Sequence, residues 1–142
     1  MSTLARAIAV AAQAHIDQKD KSGAPYILHP LRIMLRMDTE AEMMVAVLHD
    51  VVEDTDWSID KLRSNGFPEV VLTAVESVTH REGESYDDFV ARAAANPIGR
   101  RVKLADLEDN MDVRRIDELA DRDLERVRKY HRAWRILTNT PR

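Results

Sequence analysis

The chain has no cysteine, which excludes disulfide frameworks, thiolate metal sites and cysteine nucleophiles. That absence fits a reducing compartment, and a cytoplasmic location is the expectation. Glycine (4), proline (5) and aromatic residues (5%) are all scarce, a composition that leans away from sheet and toward helix. No apolar run approaches the roughly 20 residues needed to cross a bilayer, so no membrane partner is expected. The apolar stretch Leu4 to Ala14 is interrupted by Arg6 and Gln13 and flows directly into His15, Asp17 and Lys19. With no cleavage region it reads as an amphipathic first helix, not a leader. Positive charge is in deficit too: a net charge of −4 argues against nonspecific nucleic-acid binding, so no nucleic-acid partner is expected. A phosphorylated small molecule stays open, because a local basic pocket or a metal can neutralise phosphate.

What is present is 142 residues with 44% apolar and 32% charged side chains, enough for one domain over residues 1–142 with one ordinary core. Helix signals recur along it. Ser2 or Thr3 can cap a first helix to about Gln18, and a polar loop, Lys19 to Pro25, follows. Pro30 suits the first turn of a second helix to about Met37. Asp38 or Thr39 caps a third from Glu40 to about Val52, with Met44, Val47, Leu48 and Val51 on its core face. Ser58 caps a short helix stopped at Asn65-Gly66, and Pro68 starts another to about Val78. Ser85, with Asp88 three residues on, opens the next helix, and Pro97 starts one to about Met111. The last follows Asp121 and offers Leu124, Val127, Tyr130, Ala133 or Trp134, and Leu137 to the core. The expected fold is all-α, a single bundle of about six to eight helices.

The chemistry concentrates in Ala46-Val-Leu-His-Asp-Val-Val-Glu-Asp-Thr55, where apolar residues surround four groups able to ligate metal or move protons. Burying such groups costs several kcal/mol each unless they find partners, and a divalent cation is a suitable one. On a continuous helix Glu53 lies one turn beyond His49 and Asp50, and Asp54 one turn beyond Asp50. Imidazole with carboxylate suits Mn, Fe, Zn or Ni without choosing among them. A carboxylate one turn on could accept a proton from water beside the ion. Singly, a histidine here reads first as a hydrogen-bonded core residue and the acids as solvated surface; the apolar neighbours on both sides are what raise a metal site to an equal reading. His29 precedes Pro30 beside the polar loop, and Lys103, Asp106 and Asn110 share a helix face that could equally be an exposed stripe.

The order His29, His49-Asp50, Asp106 resembles the His…His-Asp…Asp signature of HD-domain metal-dependent phosphohydrolases. Three blocks are similar to those of the RelA/SpoT-type (p)ppGpp hydrolase domain: Lys21-Ser-Gly-Ala-Pro-Tyr-Ile-Leu-His-Pro30, His49-Asp-Val-Val-Glu-Asp-Thr55 and Lys103-Leu-Ala-Asp-Leu-Glu-Asp-Asn-Met111. The resemblance implies an HD helical bundle in which His29, His49, Asp50 and Asp106 ligate a divalent ion, usually Mn²⁺. It implies that Glu53 and Asp54 position or deprotonate the attacking water. Lys21, Ser22, Tyr26, Lys103 and Asn110 would then hold the nucleotide. The reaction implied is removal of pyrophosphate from the 3′ position of a guanosine tetra- or pentaphosphate. Two other readings are the same site acting on another nucleotide or phosphorylated metabolite, and a module that senses a nucleotide without cleaving it. No counterpart of the synthetase half of the long bifunctional enzymes is expected.

Three places depart from the family pattern. Asp20 stands where a basic residue is usual, Leu107-Glu-Asp-Asn110 where Arg-Leu-His-Asn is usual, and Asp112-Val113 where Arg-Thr is usual. Each is expected to remove positive charge or a stacking partner from the nucleotide pocket, with Arg100, Arg101, Arg114 or Arg115 compensating. His15 is expected to be structural, His80 and His131 exposed, and the basic residues from Arg126 to Arg135 an ion-paired surface. Trp57 and Trp134 are expected to pack, with Trp57 close enough to wall the pocket.

Overall fold

The Thr3 hydroxyl accepts a hydrogen bond from the amide of Arg6 (3.3 Å) and so caps α1 (Leu4–Ala14). The computed structural model describes residues 3–139, so Ser2, the alternative cap, lies outside the described residues. The first helix stops at Ala14 instead of reaching Gln18 because the chain turns to close a loop. The Gln18 carbonyl accepts from the amide of Tyr26 (2.9 Å), and Lys19 pairs with Pro25 in an isolated antiparallel bridge. Within that loop one Asp20 carboxylate oxygen accepts from the amides of Ser22 and Ala24 (2.9 Å each). Gly23 turns the chain at φ +86°, a conformation side chains rarely tolerate.

Helix α2 (Leu28–Met34) begins two residues before Pro30, which still falls in the first turn, where its missing amide is harmless. Thr39 and Glu42 form a reciprocal capping box for α3 (Glu40–Leu48). The expected continuous helix to Val52 is broken. Nδ1 of His49 takes the Ala46 carbonyl (2.6 Å), the acceptor that the Asp50 amide would use in an unbroken helix. Asp50 relaxes to φ −103°, ψ 0°, and the chain restarts as α4 (Val51–Asp54). Among the described residues this gives nine α-helices where eight segments were expected.

The remaining helices follow their caps. Ser58 caps α5 (Ile59–Ser64), Pro68 precedes α6 (Glu69–Ser77), Ser85 caps α7 (Tyr86–Ala94) and Asn96 caps α8 (Pro97–Asn110). A short 3₁₀ turn (Val113–Arg115) leads to α9 (Asp121–Asn139). The main core gathers Ile33, Val45, Val47, Leu48, Val71, Val75 and Val102 from α2, α3, α6 and α8. A second cluster of Val90, Leu107, Ala133 and Leu137 binds α7 and α9 to α8. Leu124 departs from expectation: it is exposed, and Asp123 is the buried residue at that end of α9. It is buried because its carboxylate accepts from the amide of Ala120 (2.9 Å) and pairs with Arg126. Helix α8 thus touches α2, α3, α6, α7 and α9, and its inward face meets the break between α3 and α4.

Candidate active site

The break at His49-Asp50 lets two consecutive side chains face one point, which an unbroken helix would have aimed about 100° apart. Nε2 of His49 lies 3.0 Å from Oδ2 of Asp50 and 3.5 Å from Oδ1 of Asp106 on α8. From α2, Nε2 of His29 lies 2.9 Å from the same Asp106 oxygen and 4.0 Å from Oδ2 of Asp50. Four residues that sequence analysis singled out as ligands therefore converge, and both histidines and Asp106 are buried.

The outer edges of the imidazoles fix what their inner edges can do. His49 donates through Nδ1 to the Ala46 carbonyl, and His29 donates through Nδ1 to Oδ2 of Asp109 (2.6 Å). Both Nε2 atoms then face carboxylates, and that of His49 is buried with no aligned hydrogen-bond partner. Lone pairs gathered against carboxylate oxygens need a cation between them, so this donor set fits a divalent metal ion. Ligand atoms of His29, His49 and Asp50 lie within 4.8 Å of one another, a span one ion can bridge.

The titration of the site shows the same demand for positive charge. Burial disfavours an imidazolium at His49, yet the Asp50 and Asp106 carboxylates outweigh it and hold its pKa well above the ordinary value. Asp106 would likewise be raised by burial, but Lys103 and the two histidines pull it well below the ordinary carboxylate range. The ammonium of Lys103 is 3.2 Å from Oδ2 of Asp106 and buried, and Nδ2 of Asn110 donates to Oδ1 (3.1 Å). An exposed charged stripe on this face, the competing expectation, is thus overturned for Lys103 and Asp106. The Tyr26 hydroxyl donates to Oδ2 of Asp50.

Glu53 and Asp54 sit at the exposed rim of the centre. Glu53 accepts from the amide of His80 (2.7 Å), and Asp54 accepts from Nε2 of Gln18 (3.5 Å). Burial and then the neighbouring Asp50 raise the pKa of Asp54; Glu53 is raised chiefly by burial. Two clefts of about 490 Å³ flank the centre and share Tyr26, Asp54, Asn110 and Tyr130. The first is rimmed by Lys19, Lys21, Ser22, Arg32, Arg115 and Arg126, and the second by Glu53, His80, Tyr86, Phe89, Lys103 and Lys129.

Several expectations about the surroundings change. Leu107 is fully buried in the second cluster, so its departure from the family pattern removes nothing from either cleft. Arg100 and Arg101 lie on a separate cleft across α8, and Arg114 spends itself on Asp112; Arg115 alone of the four expected compensators lines the site. Trp57 packs on the main core and walls neither cleft. His15 is buried, its Nδ1 2.8 Å from Oε1 of Gln18 and its ring 4.9 Å from Tyr26, so its structural role places Gln18 beside Asp54. His80 and His131 are exposed as expected. Sequence analysis missed Asp109 and Gln18. Asp109 had a usable signal: His29-x-x-Arg32 and Asp106-x-x-Asp109 are two one-turn pairs that face each other when α2 packs on α8.

The helical architecture and the His, His-Asp, Asp cluster define an HD-type domain. No family model matches the chain. It is 35% identical over 119 residues to a guanosine-3′,5′-bis(diphosphate) 3′-pyrophosphohydrolase of Aquifex aeolicus, an alignment covering 75% of this chain and 17% of that protein. It is 38% identical over 120 residues to a GTP pyrophosphokinase of Streptomyces coelicolor, covering 75% of this chain and 14% of that protein. The chain spans less than a fifth of the length of these curated relatives. A solved structure described as a metazoan ortholog of SpoT that hydrolyzes ppGpp superposes with a TM-score of 0.77 at 25% identity, covering 98% of this chain and 85% of that one. Over most of its length the chain is thus similar to proteins of RelA/SpoT type.

Proposed function

We propose that this chain is a metal-dependent phosphohydrolase that removes pyrophosphate from the 3′ position of a guanosine 3′,5′-bis(diphosphate), working as one domain over residues 1–142. The observation that carries the reading is the buried Nε2 of His49, unpartnered among Asp50, Asp106 and the Nε2 of His29. His29, His49, Asp50 and Asp106 would hold a divalent cation, Mn²⁺ in the first instance. When bound, that ion supplies a Lewis acid that polarises a phosphoryl oxygen and makes water more acidic.

The chain's own residues supply the rest. Glu53 and Asp54, raised in pKa at the rim, are placed to take a proton from the attacking water. Lys103 and Asn110 keep Asp106 ionised and oriented, and Tyr26 does the same for Asp50. Lys21 and Ser22 on the Gly23 loop, with Arg32 and Arg126, present cationic and polar groups to substrate phosphates in the first cleft. Asp20 and Asp112 do not undo this: Asp20 is engaged by two backbone amides and Asp112 by Arg114 and Arg115. The partner is a small nucleotide, with neither nucleic acid nor membrane, and the place of action is the cytoplasm. The net charge of −4 supports a small-nucleotide partner over nucleic acid, and the cysteine-free composition fits a reducing compartment.

The test is incubation of the protein with Mn²⁺ and a panel of ppGpp, deoxynucleoside triphosphates and nucleoside monophosphates, following phosphate and pyrophosphate release. Pyrophosphate release from ppGpp, lost in Asp50→Ala, is the expected result. Turnover of other panel members alone would move the activity to another nucleotide, and binding without turnover would make the domain a sensor.

A further inference from the structure

The two imidazoles at the centre are held by unlike partners. His49 donates through Nδ1 to a neutral backbone carbonyl, that of Ala46. His29 donates through Nδ1 to a carboxylate, Oδ2 of Asp109, at 2.6 Å. Asp109 is itself clamped. Arg32 donates from Nε to its Oδ1 and from Nη2 to its Oδ2, 2.9 Å each, and Arg115 reaches Oδ2 at 3.5 Å. The carboxylate side chain is only 10% exposed. A fork-on-carboxylate pair of this kind fixes orientation as well as charge.

We propose that Asp109 is a positioning residue for His29: with Arg32 it fixes the imidazole so that Nε2 alone faces the metal centre. The inference rests on the reading of His29 as a metal ligand. A carboxylate behind a ligating imidazole locks its tautomer and strengthens its lone pair, and removing such a partner typically weakens metal binding about 10–100-fold. Arg32 also lines the first cleft, so the residue that orients Asp109 sits at the wall where substrate phosphate would arrive.

Two readouts independent of turnover test this, with Asp109→Ala and Asp109→Asn compared to wild type. Calorimetric titration with Mn²⁺ should show Asp109→Ala weakened about 10–100-fold and Asp109→Asn, which keeps an acceptor oxygen but not the charge, weakened less. Proton NMR of metal-free protein carrying isotope-labelled histidine should show a downfield, slowly exchanging Nδ1–H for His29. That resonance should vanish in Asp109→Ala and persist in Asp109→Asn, while the Nδ1–H of His49 stays unchanged in both. Wild-type protein that takes up no Mn²⁺ would defeat the metal-site reading and this inference with it. Mn²⁺ affinity in folded Asp109→Ala within twofold of wild type, or an unchanged His29 resonance, would defeat the inference alone. Should Asp109→Ala fail to fold, Asp109→Asn decides: an affinity equal to wild type overturns the role given to the charge.

Discussion

Oδ2 of Asp50 accepts from the hydroxyl of Tyr26 and lies 3.0 Å from Nε2 of His49 with no aligned hydrogen bond between them, so Tyr26 is the donor that holds this charged oxygen. Burial, and after it the charge of Asp50, raise the pKa of Tyr26 far above the ordinary phenol range, so the hydroxyl stays a donor at any working pH. Tyr26→Phe removes that donor and leaves a charged acceptor short of one bond. Urea unfolding in the presence of a chelator should show a loss of about 1–3 kcal/mol. A second residue-scale effect depends on acid. Glu84 is engaged by Arg92 through Nε at 2.9 Å and Nη2 at 2.8 Å, and this pairing lowers its pKa from 4.5 to about 2. A carboxylate depressed on folding contributes stability that is fully present above its ordinary value and is lost as pH falls through its folded one. Glu84→Gln should therefore destabilise at pH 6 and cost nothing further near pH 2, with the difference closing between about 4.5 and 2. Parallel thermal melts of both proteins across that window measure it. A gap that stays constant with pH would show that the ion pair is not the source.

Helix α8 carries Asp106, Lys103 and Asp109, so its seat against α6 sets the height of the site. That seat depends on Gly99: a Cβ there would meet Oγ of Ser77 at 2.1 Å and the Ala93 carbonyl at 3.3 Å. Alanine is favoured over glycine in a helix by about 1 kcal/mol, but overpacking a tight contact costs about 1–3 kcal/mol. Ser77 cannot simply swing aside, since its hydroxyl donates to the Ala74 carbonyl at 2.6 Å and is buried. Gly99→Ala should thus lower stability by about 1–2 kcal/mol, and the loss should shrink in a Ser77→Ala background. The elements themselves were readable because their ends are written in side chains that bond locally. Thr39 with Glu42, Ser58, Ser85 and Asn96 each satisfy orphan amides, and the caps fall where the sequence placed them or one residue from it. The valine spacing of α6 was readable too, and Val71, Leu72, Val75 and Val78 are all buried. The break at His49 was not, because a side chain competing for the Ala46 carbonyl has no signature in helical periodicity. That break brings Asp50 and His49 together, so the candidate ligands could be named while the geometry that unites them could not. The surroundings were least readable. Whether Leu107 faces a cleft or the core depends on the rotation of α8 between α7 and α9, a long-range fact that no local pattern encodes.

At the scale of the molecule the centre is where α2, the α3–α4 break and α8, already packed through the main core, also meet through charged side chains. The charge of Asp106 works to raise the pKa of Asp50, yet both carboxylates are held below their ordinary range, Asp50 by His49 and Asp106 by Lys103 and the two histidines. A divalent cation bound by all four side chains would tie the three elements together and exist only in the folded chain, since the ligands lie 77 residues apart between His29 and Asp106. Ligand that binds only the folded state stabilises it by about 2.7 kcal/mol at a hundredfold excess over Kd. For a domain of this size each kcal/mol corresponds to a few degrees in Tm, so Mn²⁺ should raise the melting temperature by roughly 5–10 °C and a chelator should reverse it. Asp106→Asn should lose most of that increment, because the amide cannot serve as an anionic ligand. Scanning calorimetry of both proteins with and without Mn²⁺ separates the contributions. An increment equal in wild type and Asp106→Asn would mean that the ion binds elsewhere, and the hydrolytic reading of this cluster would fall with it.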